Sequence, residues 1–347
     1  MKDIHIYEMS LFDYEKKAIF TQLPYDKKRY NLIYDAKNPD YVLVPISHLI
    51  ASQKIYEEFK EKYDSKKIYI FFGDECISPD LNLFDYAITY DDEFVCRDRV
   101  YRHPINWIIR EFLRDQNQQQ IDYSEEYKKR RFCNFIYYNS LAHPKRDELF
   151  YAINNYQRVD ALGKHLNNCE VPITRFQTNY FDISVEMKSN YRFSIAAEND
   201  NFYGNTTEKI ISSFYAHTVP IYWGNPNIAS EFNEKAFINC HRYQNFEEVL
   251  EIVKAVNEDK DKWIEMVNQP MKTDDQIEKD LERMIGYERF VNHIFEQTIE
   301  EAKRVTIGTA EKSYIDFWIE KLQWRKKENK LVKENFFKLL FSDLLKK

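Results

Sequence analysis

Three carboxylates, three amides and an ammonium are crowded into the stretch from Glu198 to Lys209, where Glu198-Asn199 is followed by Asn205-Thr206-Thr207 and Glu208-Lys209. A helix beginning here would carry Lys209 in its first turn. Free backbone N–H groups and the positive end of the helix dipole already favour an anion at such a start, and Lys209 strengthens it for a phosphate. Glu198 and Glu208 are placed to accept hydrogen bonds from ribose hydroxyls. Asn205, Thr206 or Thr207 could cap the helix, and Asn205 with Glu208 three residues on has capping-box spacing. An ordinary capped helix, in which Glu208 only completes that box, is the competing account. The sequence has no G-x-G-x-x-G and no P-loop, so dinucleotide and ATP binding find no support.

The elements that must position these groups lie on either side. Phe193 to Ala197 is an apolar run short enough for a buried strand, and Val219 to Trp223 is a second, closed by Gly224-Asn225-Pro226. Between them Ile210, Ile211, Phe214 and Tyr215 form one helical stripe. A strand–loop–helix–strand unit of this kind builds parallel sheets. A similar unit precedes it: Arg131 to Tyr138, a loop from Asn139 to Pro144, a helix opening with Lys145-Arg146, and a strand from Val159 to Gly163 ahead of Lys164 and Asn167-Asn168. A cation at a helix start opposes the dipole. Arg146 there reads as the grip for an anionic partner, or as a surface Arg paired with Asp147 or Glu148.

In the first hundred residues, Ile4 to Met9, Tyr41 to Ile46 and Lys67 to Phe72 read as strands and Ser47 to Tyr63 as a helix, with a mixed, turn-rich segment before Tyr41. This alternation predicts a parallel α/β layer. The polar stretch from Trp107 to about Lys129 reads as a linker or hinge. Phe246 to Val256, Lys260 to Val267 and a long charged segment between Asp274 and Lys303 read as helices.

Ligands of open α/β sheets collect at the carboxyl ends of strands, where the third strand runs into Gly73-Asp74-Glu75. Either acid could be a general base facing a substrate hydroxyl, or the pair could simply cap the next turn. Asp91-Asp92 could hold a metal-bound diphosphate but reads as a solvated loop pair. Arg97, Arg99 and Arg102 read as a solvated edge.

A chain of 347 residues suits two domains, and 44% hydrophobic with 31% charged residues is globular. The net charge of −7 argues against general nucleic-acid binding. The 26 Tyr and 25 Phe exceed ordinary use, through an AT-rich coding sequence or through stacking on carbohydrate. Five scattered cysteines without C-x-x-C spacing read as reduced thiols with no zinc site. With no apolar signal core and no membrane-spanning run, the protein is expected to be cytoplasmic. The tail from Lys321 to Lys347 has nine Lys/Arg against three Asp/Glu, with Val332, Phe336, Leu340 and Leu344 at spacing four. Such a basic amphipathic helix suits a peripheral contact with an anionic membrane surface, or packing on a domain or in a homodimer.

Taken together, these segments resemble the bacterial α-1,3/4-fucosyltransferases of glycosyltransferase family ten. The match rests on Phe193 through Glu198-Asn199, Thr207-Glu208-Lys209 and Val219-Pro220-Ile221 ending in Gly224. Phe132-Cys133, Asn139 with Arg146, Val159-Asp160 with Gly163-Lys164, Asn82 to Ile88, and Arg99 with Arg102 and Pro104 extend it. The resemblance implies an α/β fold of two Rossmann-like domains in a GT-B arrangement, with a helical tail. Residues 1–125 would receive the acceptor, 126–310 would hold GDP-fucose, and 311–347 would form the tail.

Carried over by position, Arg146 and Lys209 would bind the diphosphate, Glu208 the ribose, and Glu198 and Asn199 the fucose side. Glu75 would be the general base, although the segment is one residue longer than the family's and Asp74 could take the role. Asn205-Thr206 departs from the family, and Tyr203 or Phe202 would supply the aromatic contact to the nucleotide. The implied reaction is inverting transfer of L-fucose to an oligosaccharide or lipid-linked glycan without a required cofactor or metal, for Lewis-type or lipopolysaccharide glycans. The alternatives are a different nucleotide sugar, or a non-catalytic glycan or nucleotide binder.

Overall fold

A computed structural model describes residues 1–10, 19–94, 96, 98–103, 123–170, 180–305 and 313–321. The chain divides into two units, one holding the described residues of Met1–Ile105 and Glu278–Lys327, the other those of Asn106–Ile277.

The first unit is built on six parallel strands: β1 (Lys2–Glu8), β2 (Tyr30–Tyr34), β3 (Tyr41–Pro45), β4 (Ile68–Phe72), β5 (Tyr86–Thr89) and β6 (Val100–Arg102), in the order β2-β1-β3-β4-β5-β6. The central strands β3 and β4 are continuous apolar runs, with every residue of β3 buried, as expected of a parallel sheet covered on both faces. The sequence reading passed over β2. It is an edge strand with a mostly half-buried pattern, so it lacks the apolar run that marks a central strand.

The helix expected over Ser47 to Tyr63 is broken into α1 (Ile46–Ala51) and α2 (Gln53–Lys62). Ser52 between them is extended, with φ −129°, and its hydroxyl caps α2 by accepting from Ile55 N–H at 3.4 Å. A serine competes for backbone donors in this way and favours caps over helix interiors.

Five parallel strands form the second sheet: β7 (Arg131–Phe135), β8 (Val159–Ala161), β9 (Tyr191–Ala197), β10 (Val219–Trp223) and β11 (Ile238–Asn239), ordered β11-β10-β9-β7-β8. Its crossovers include α3 (Pro144–Tyr156), α4 (Tyr180–Lys188) and α5 (Glu208–Tyr215), followed by α6 (Phe246–Asn257) and α7 (Lys260–Val267). Phe193, Ile195, Val219, Ile221 and Trp263 meet in one buried core. The sequence reading did not include α4.

The domain limits differ from those read in the sequence. The helix α8 (Asp274–Glu296) lies within the segment 126–310 assigned to the donor domain, yet its residues from Glu278 belong to the first unit. There Tyr287, Phe290, Val291, Ile294 and Phe295 pack with Ile4, Ile6, Tyr41 and Ile70. At the head of the tail, helical residues 313–321 bury Ile315, Trp318 and Ile319 against Phe59, Phe71 and Phe84. Burying three such side chains is worth about 1.5–3 kcal/mol each, so this part of the tail is structural. The stripe from Val332 to Leu344, and Arg97 and Pro104, lie outside the described residues, as does most of the proposed linker.

Two surface readings are also corrected. Asp91 is buried, accepting from the Ser78 hydroxyl at 2.6 Å and the Glu93 N–H at 3.0 Å, and Asp92 pairs with Arg102 at 2.6 Å. Arg99 is no solvated edge. Its guanidinium donates to the carbonyls of Leu81, Phe84 and Asp85 at 2.7–3.0 Å, tying the loop before β5 to β6.

Candidate active site

The carboxyl end of β9 delivers Glu198 into a position with no solvent exposure. One carboxylate oxygen accepts from Thr207 N–H at 2.9 Å; the other accepts from the Thr207 hydroxyl at 2.7 Å and from Lys209 Nζ at 2.9 Å. Lys209 also donates to the Thr207 hydroxyl oxygen at 2.9 Å and stands 4.0 Å from Glu208. Burial pulls the Lys209 pKa down, but Glu198 and Glu208 outweigh it and the net shift is upward. The cation is therefore fixed at the head of α5.

Thr207 is the N-cap residue, extended at φ −119°, yet no side chain caps this helix. The capping box that Asn205 and Glu208 could form is absent because the N-cap is Thr207 and Glu208 is the first helical residue; Thr207 lends its hydroxyl to Glu198. Charge neutralisation of a buried acid outweighs satisfaction of one amide, and the positive end of the helix dipole stands beside that fixed cation. Glu208 is exposed; desolvation pushes its carboxyl up, but Lys209 and its own amide bring it below the usual range. Asn205 is buried, and Tyr203 in the same loop is 41% exposed.

Gly224 makes this packing feasible. Its φ is +151°, and a Cβ there would stand 2.4 Å from Glu198 Cγ. Asn225, fully buried, then ties the loop down. Its Oδ1 accepts from Gly204 N–H at 2.8 Å, and its Nδ2 donates to the Thr206 hydroxyl at 3.0 Å.

Arg146 in the first turn of α3 is completely buried, which removes the surface-pair account. Its guanidinium donates to Asn199 Oδ1 at 3.3 Å and to the Asn139 carbonyl, and lies 4.6 Å from the centre of the Tyr137 ring. Its Nε is 3.8 Å from Asp147 without a hydrogen bond. Asp147 in turn is 2.8 Å from His165. Asn139 thus contributes its backbone carbonyl, while its side chain accepts from Leu141 N–H at 2.8 Å. Gly163 serves a close approach, since a Cβ there would lie 2.1 Å from the Tyr137 carbonyl oxygen. Lys164 is exposed, with its ammonium 5.3 Å from the Tyr138 ring centre.

Tyr137, missed in the sequence, joins these groups. Its hydroxyl accepts from Ala197 N–H at 2.6 Å and donates to the Ile195 carbonyl at 3.0 Å, beneath Arg146. An aromatic at the end of an apolar strand is ordinary core by pattern, so no local signal marked it.

In the first unit, Asp74 and Glu75 follow β4, but they are not equivalent. Asp74 accepts from Ser47 N–H at 2.8 Å and from the Ser47 hydroxyl, anchoring α1. Burial raises its pKa, partly offset by Ser47. The Glu75 backbone carbonyl is held by the Tyr90 hydroxyl and by Ile77 N–H at 2.7 Å. That fixes the turn from which its half-buried side chain projects.

Each unit is a parallel sheet with helical crossovers, the Rossmann-like α/β class, and the second holds a fixed cation at a helix start. The chain resembles the α-1,3/4-fucosyltransferases of glycosyltransferase family 10, as the motifs implied: residues 126–280 match the family model described as "Glycosyltransferase family 10 (fucosyltransferase) C-term". The chain is 30% identical over 232 residues to the alpha-(1,3)-fucosyltransferase FucT of Helicobacter pylori, a match covering 57% of this chain. It spans less than half the length of the curated relatives it matches, 46% for that protein and 41% for a mimiviral relative 29% identical over 268 residues. Its fold is that of an α1,3-fucosyltransferase solved with GDP, at a TM-score of 0.61 and 23% identity over 83% of this chain and 90% of the other. The same enzyme type with GDP-fucose aligns at 0.60, covering 82% and 90%.

Proposed function

We propose that this protein transfers L-fucose from GDP-fucose to a hydroxyl of an N-acetylglucosamine or glucose unit, with inversion and α-1,3 linkage, in the synthesis of Lewis-type surface glycans such as those of lipopolysaccharide. The observation that carries this is the Glu198–Thr207–Lys209 knot, which fixes a cation and an uncapped helix start at one point. The named ligands of the fucosyltransferase structures, GDP and GDP-fucose, support a nucleoside diphosphate there.

Glu75 takes the proton of the acceptor hydroxyl. The acceptor oxygen bonds to the fucose anomeric carbon as the bond from that carbon to the β-phosphate oxygen breaks. The developing sugar cation resembles that of glycoside hydrolysis. GDP departs with the electron pair, and its charge is met by Lys209, the N–H groups at the start of α5, and Arg146. Arg146 is buried beneath Asn199 and Asn139, so it acts on the diphosphate through those loops or after they shift. Glu208, exposed beside Lys209, accepts from ribose hydroxyls, and Tyr203 packs on the nucleotide. Glu198 and Asn199 shape the fucose side, with Glu198 occupied chiefly in orienting Lys209. Fixed cations hold the leaving group, so no metal is required in this scheme; undiminished transfer in chelator would bear that out.

The decisive assay offers GDP-fucose with N-acetyllactosamine and with its type-1 isomer. Fucosylated product and stoichiometric GDP are expected. Transfer from a UDP-sugar or GDP-mannose, with none from GDP-fucose, would replace the donor. The tail beyond Lys321 is proposed to rest on an anionic membrane surface in the cytoplasm, where lipid-linked acceptors would be met. Equal co-sedimentation with anionic vesicles by full-length and Lys321-truncated protein would remove that role.

A further inference from the structure

Lys188, the last residue of α4, is a buried cation that none of the steps above employs. It is 4% exposed. Its ammonium donates to the Lys209 carbonyl at 3.0 Å, to Ser212 Oγ at 2.7 Å and to Ser213 Oγ at 3.1 Å. These use all three of its hydrogens, and none of the three acceptors is charged. Each serine hydroxyl passes its own proton to the first turn of α5: Ser212 Oγ donates to the Glu208 carbonyl at 2.7 Å and Ser213 Oγ to the Lys209 carbonyl at 2.9 Å. One ammonium thus gathers the backbone of Glu208 and Lys209, directly and through the two serines.

A cation buried among neutral acceptors is costly, and a methionine would fill the space without that cost. The groups that face it carry charge of both signs. Glu208 and Lys209 lie on α5, and Glu198 follows β9. On its own helix Asp182 and Glu186 are exposed, and the neighbouring Met187 packs with Tyr191 and Cys169 in an apolar cluster. Burial lowers the Lys188 pKa to about 7; Glu208 and Glu198 oppose the shift and Lys209 adds to it.

We propose that Lys188 is a positioning residue of the donor site: it locks the first turn of α5 through the Lys209 carbonyl, and its charge is completed by the diphosphate of the donor. The inference rests on the donor reading above. An anion at the head of α5 favours protonated Lys188, so the complex holds more protons than the free protein. Donor affinity then rises as pH falls through about 7. GDP-fucose suits the measurement because its diesterified diphosphate does not titrate in that range.

The test uses the full chain and its Lys188→Met and Ser213→Ala variants. KM values for GDP-fucose and for acceptor are measured from pH 6 to 8.5, with GDP binding followed by calorimetry. Lys188→Met should raise the GDP-fucose KM at least about fivefold at pH 6.5, the lower end of ordinary coupling between sites. The acceptor KM should not move, and the pH dependence should flatten. Ser213→Ala, which keeps the charge, should weaken donor binding less and retain the pH dependence. A folded Lys188→Met variant with wild-type donor KM and wild-type pH profile overturns the inference and leaves the donor reading intact. If Lys188→Met fails to fold, a pH-independent donor KM in wild type overturns it instead. Failure of the wild type to bind GDP at all removes the donor reading, and this inference with it.

Discussion

The carboxyl ends of the two sheets are finished in opposite ways. In the second unit a buried acid meets a cation, Glu198 against Lys209 at 2.9 Å, and buried Arg146 donates to the adjacent Asn199 at 3.3 Å. In the first unit the acids at the ends of β1 and β4 meet neutral donors. Asp74 is held by the Ser47 N–H and hydroxyl, and Glu8 accepts from Phe20 N–H at 3.0 Å. Fixed cations suit the holding of a departing diphosphate. Carboxyls whose pKa burial has raised, as it has for Asp74 and Glu8, mark surroundings that favour holding a proton. One end gathers fixed charge, and the other holds its acids among neutral donors.

The largest effects should come from breaking each end at its working group. Glu75→Gln should lower kcat about 10²–10⁴-fold, the ordinary range for loss of a general base, with GDP affinity unchanged. Turnover near the wild-type rate would shift the role to Asp74. In the second unit, Lys209→Met should abolish measurable GDP binding. It should also cost about 3–5 kcal/mol of stability, because Glu198 would be left buried and unpaired. The double variant Glu198→Gln with Lys209→Met should regain most of the stability and none of the binding. Chemical denaturation and calorimetry separate the two losses, and recovery of GDP binding in the double variant would show that Lys209 does not hold the donor.

Gly224 tests whether the charged end depends on close packing. Gly224→Ala would place a methyl group 2.4 Å from Glu198 Cγ at a φ of +151°. Strain of this kind costs of order 1–3 kcal/mol, and the displaced carboxylate should release Lys209. A lower melting temperature with weaker GDP binding is expected; an unchanged melting temperature would mean that the Glu198 loop relaxes freely.

Much of the second unit was legible because its signals are local. Apolar runs such as Phe193 to Ala197 and Val219 to Trp223 marked the central strands, and Thr207 to Lys209 marked the helix start. Contacts distant in sequence were not legible. Nothing near Thr207 shows that its hydroxyl belongs to Glu198, and nothing near Arg146 shows that Tyr137 lies beneath it. Lys188 ends a helix that was not read, and its partners are about two dozen residues further on. The edge strand Tyr30–Tyr34 was hidden by its half-buried pattern, and the first unit's claim on α8 by the long-range packing of Tyr287 to Phe295. Local physics gave the helix start, while tertiary polar pairing decided how that start is used.

The smallest effect concerns the end of the first sheet, and its sign is fixed by Asp74. The folded-state pKa of this carboxyl lies above its ordinary value of 3.8, chiefly through burial. Between those two values the native chain binds more protons than the unfolded chain, so this group makes stability fall as pH rises through the window and rise on acidification. Asp35, Asp98 and Glu234, whose carboxyls are held below their usual range by hydrogen bonds, act in the opposite direction, so only a difference is informative. Asp74→Asn keeps a side chain able to accept from the Ser47 N–H but cannot titrate. Urea melts of both proteins from pH 4 to 7 should show the wild type gaining on the variant as pH falls. Parallel curves would mean that Ser47 compensates the burial fully, and the contrast between the two sheet ends would then rest on Glu8 alone.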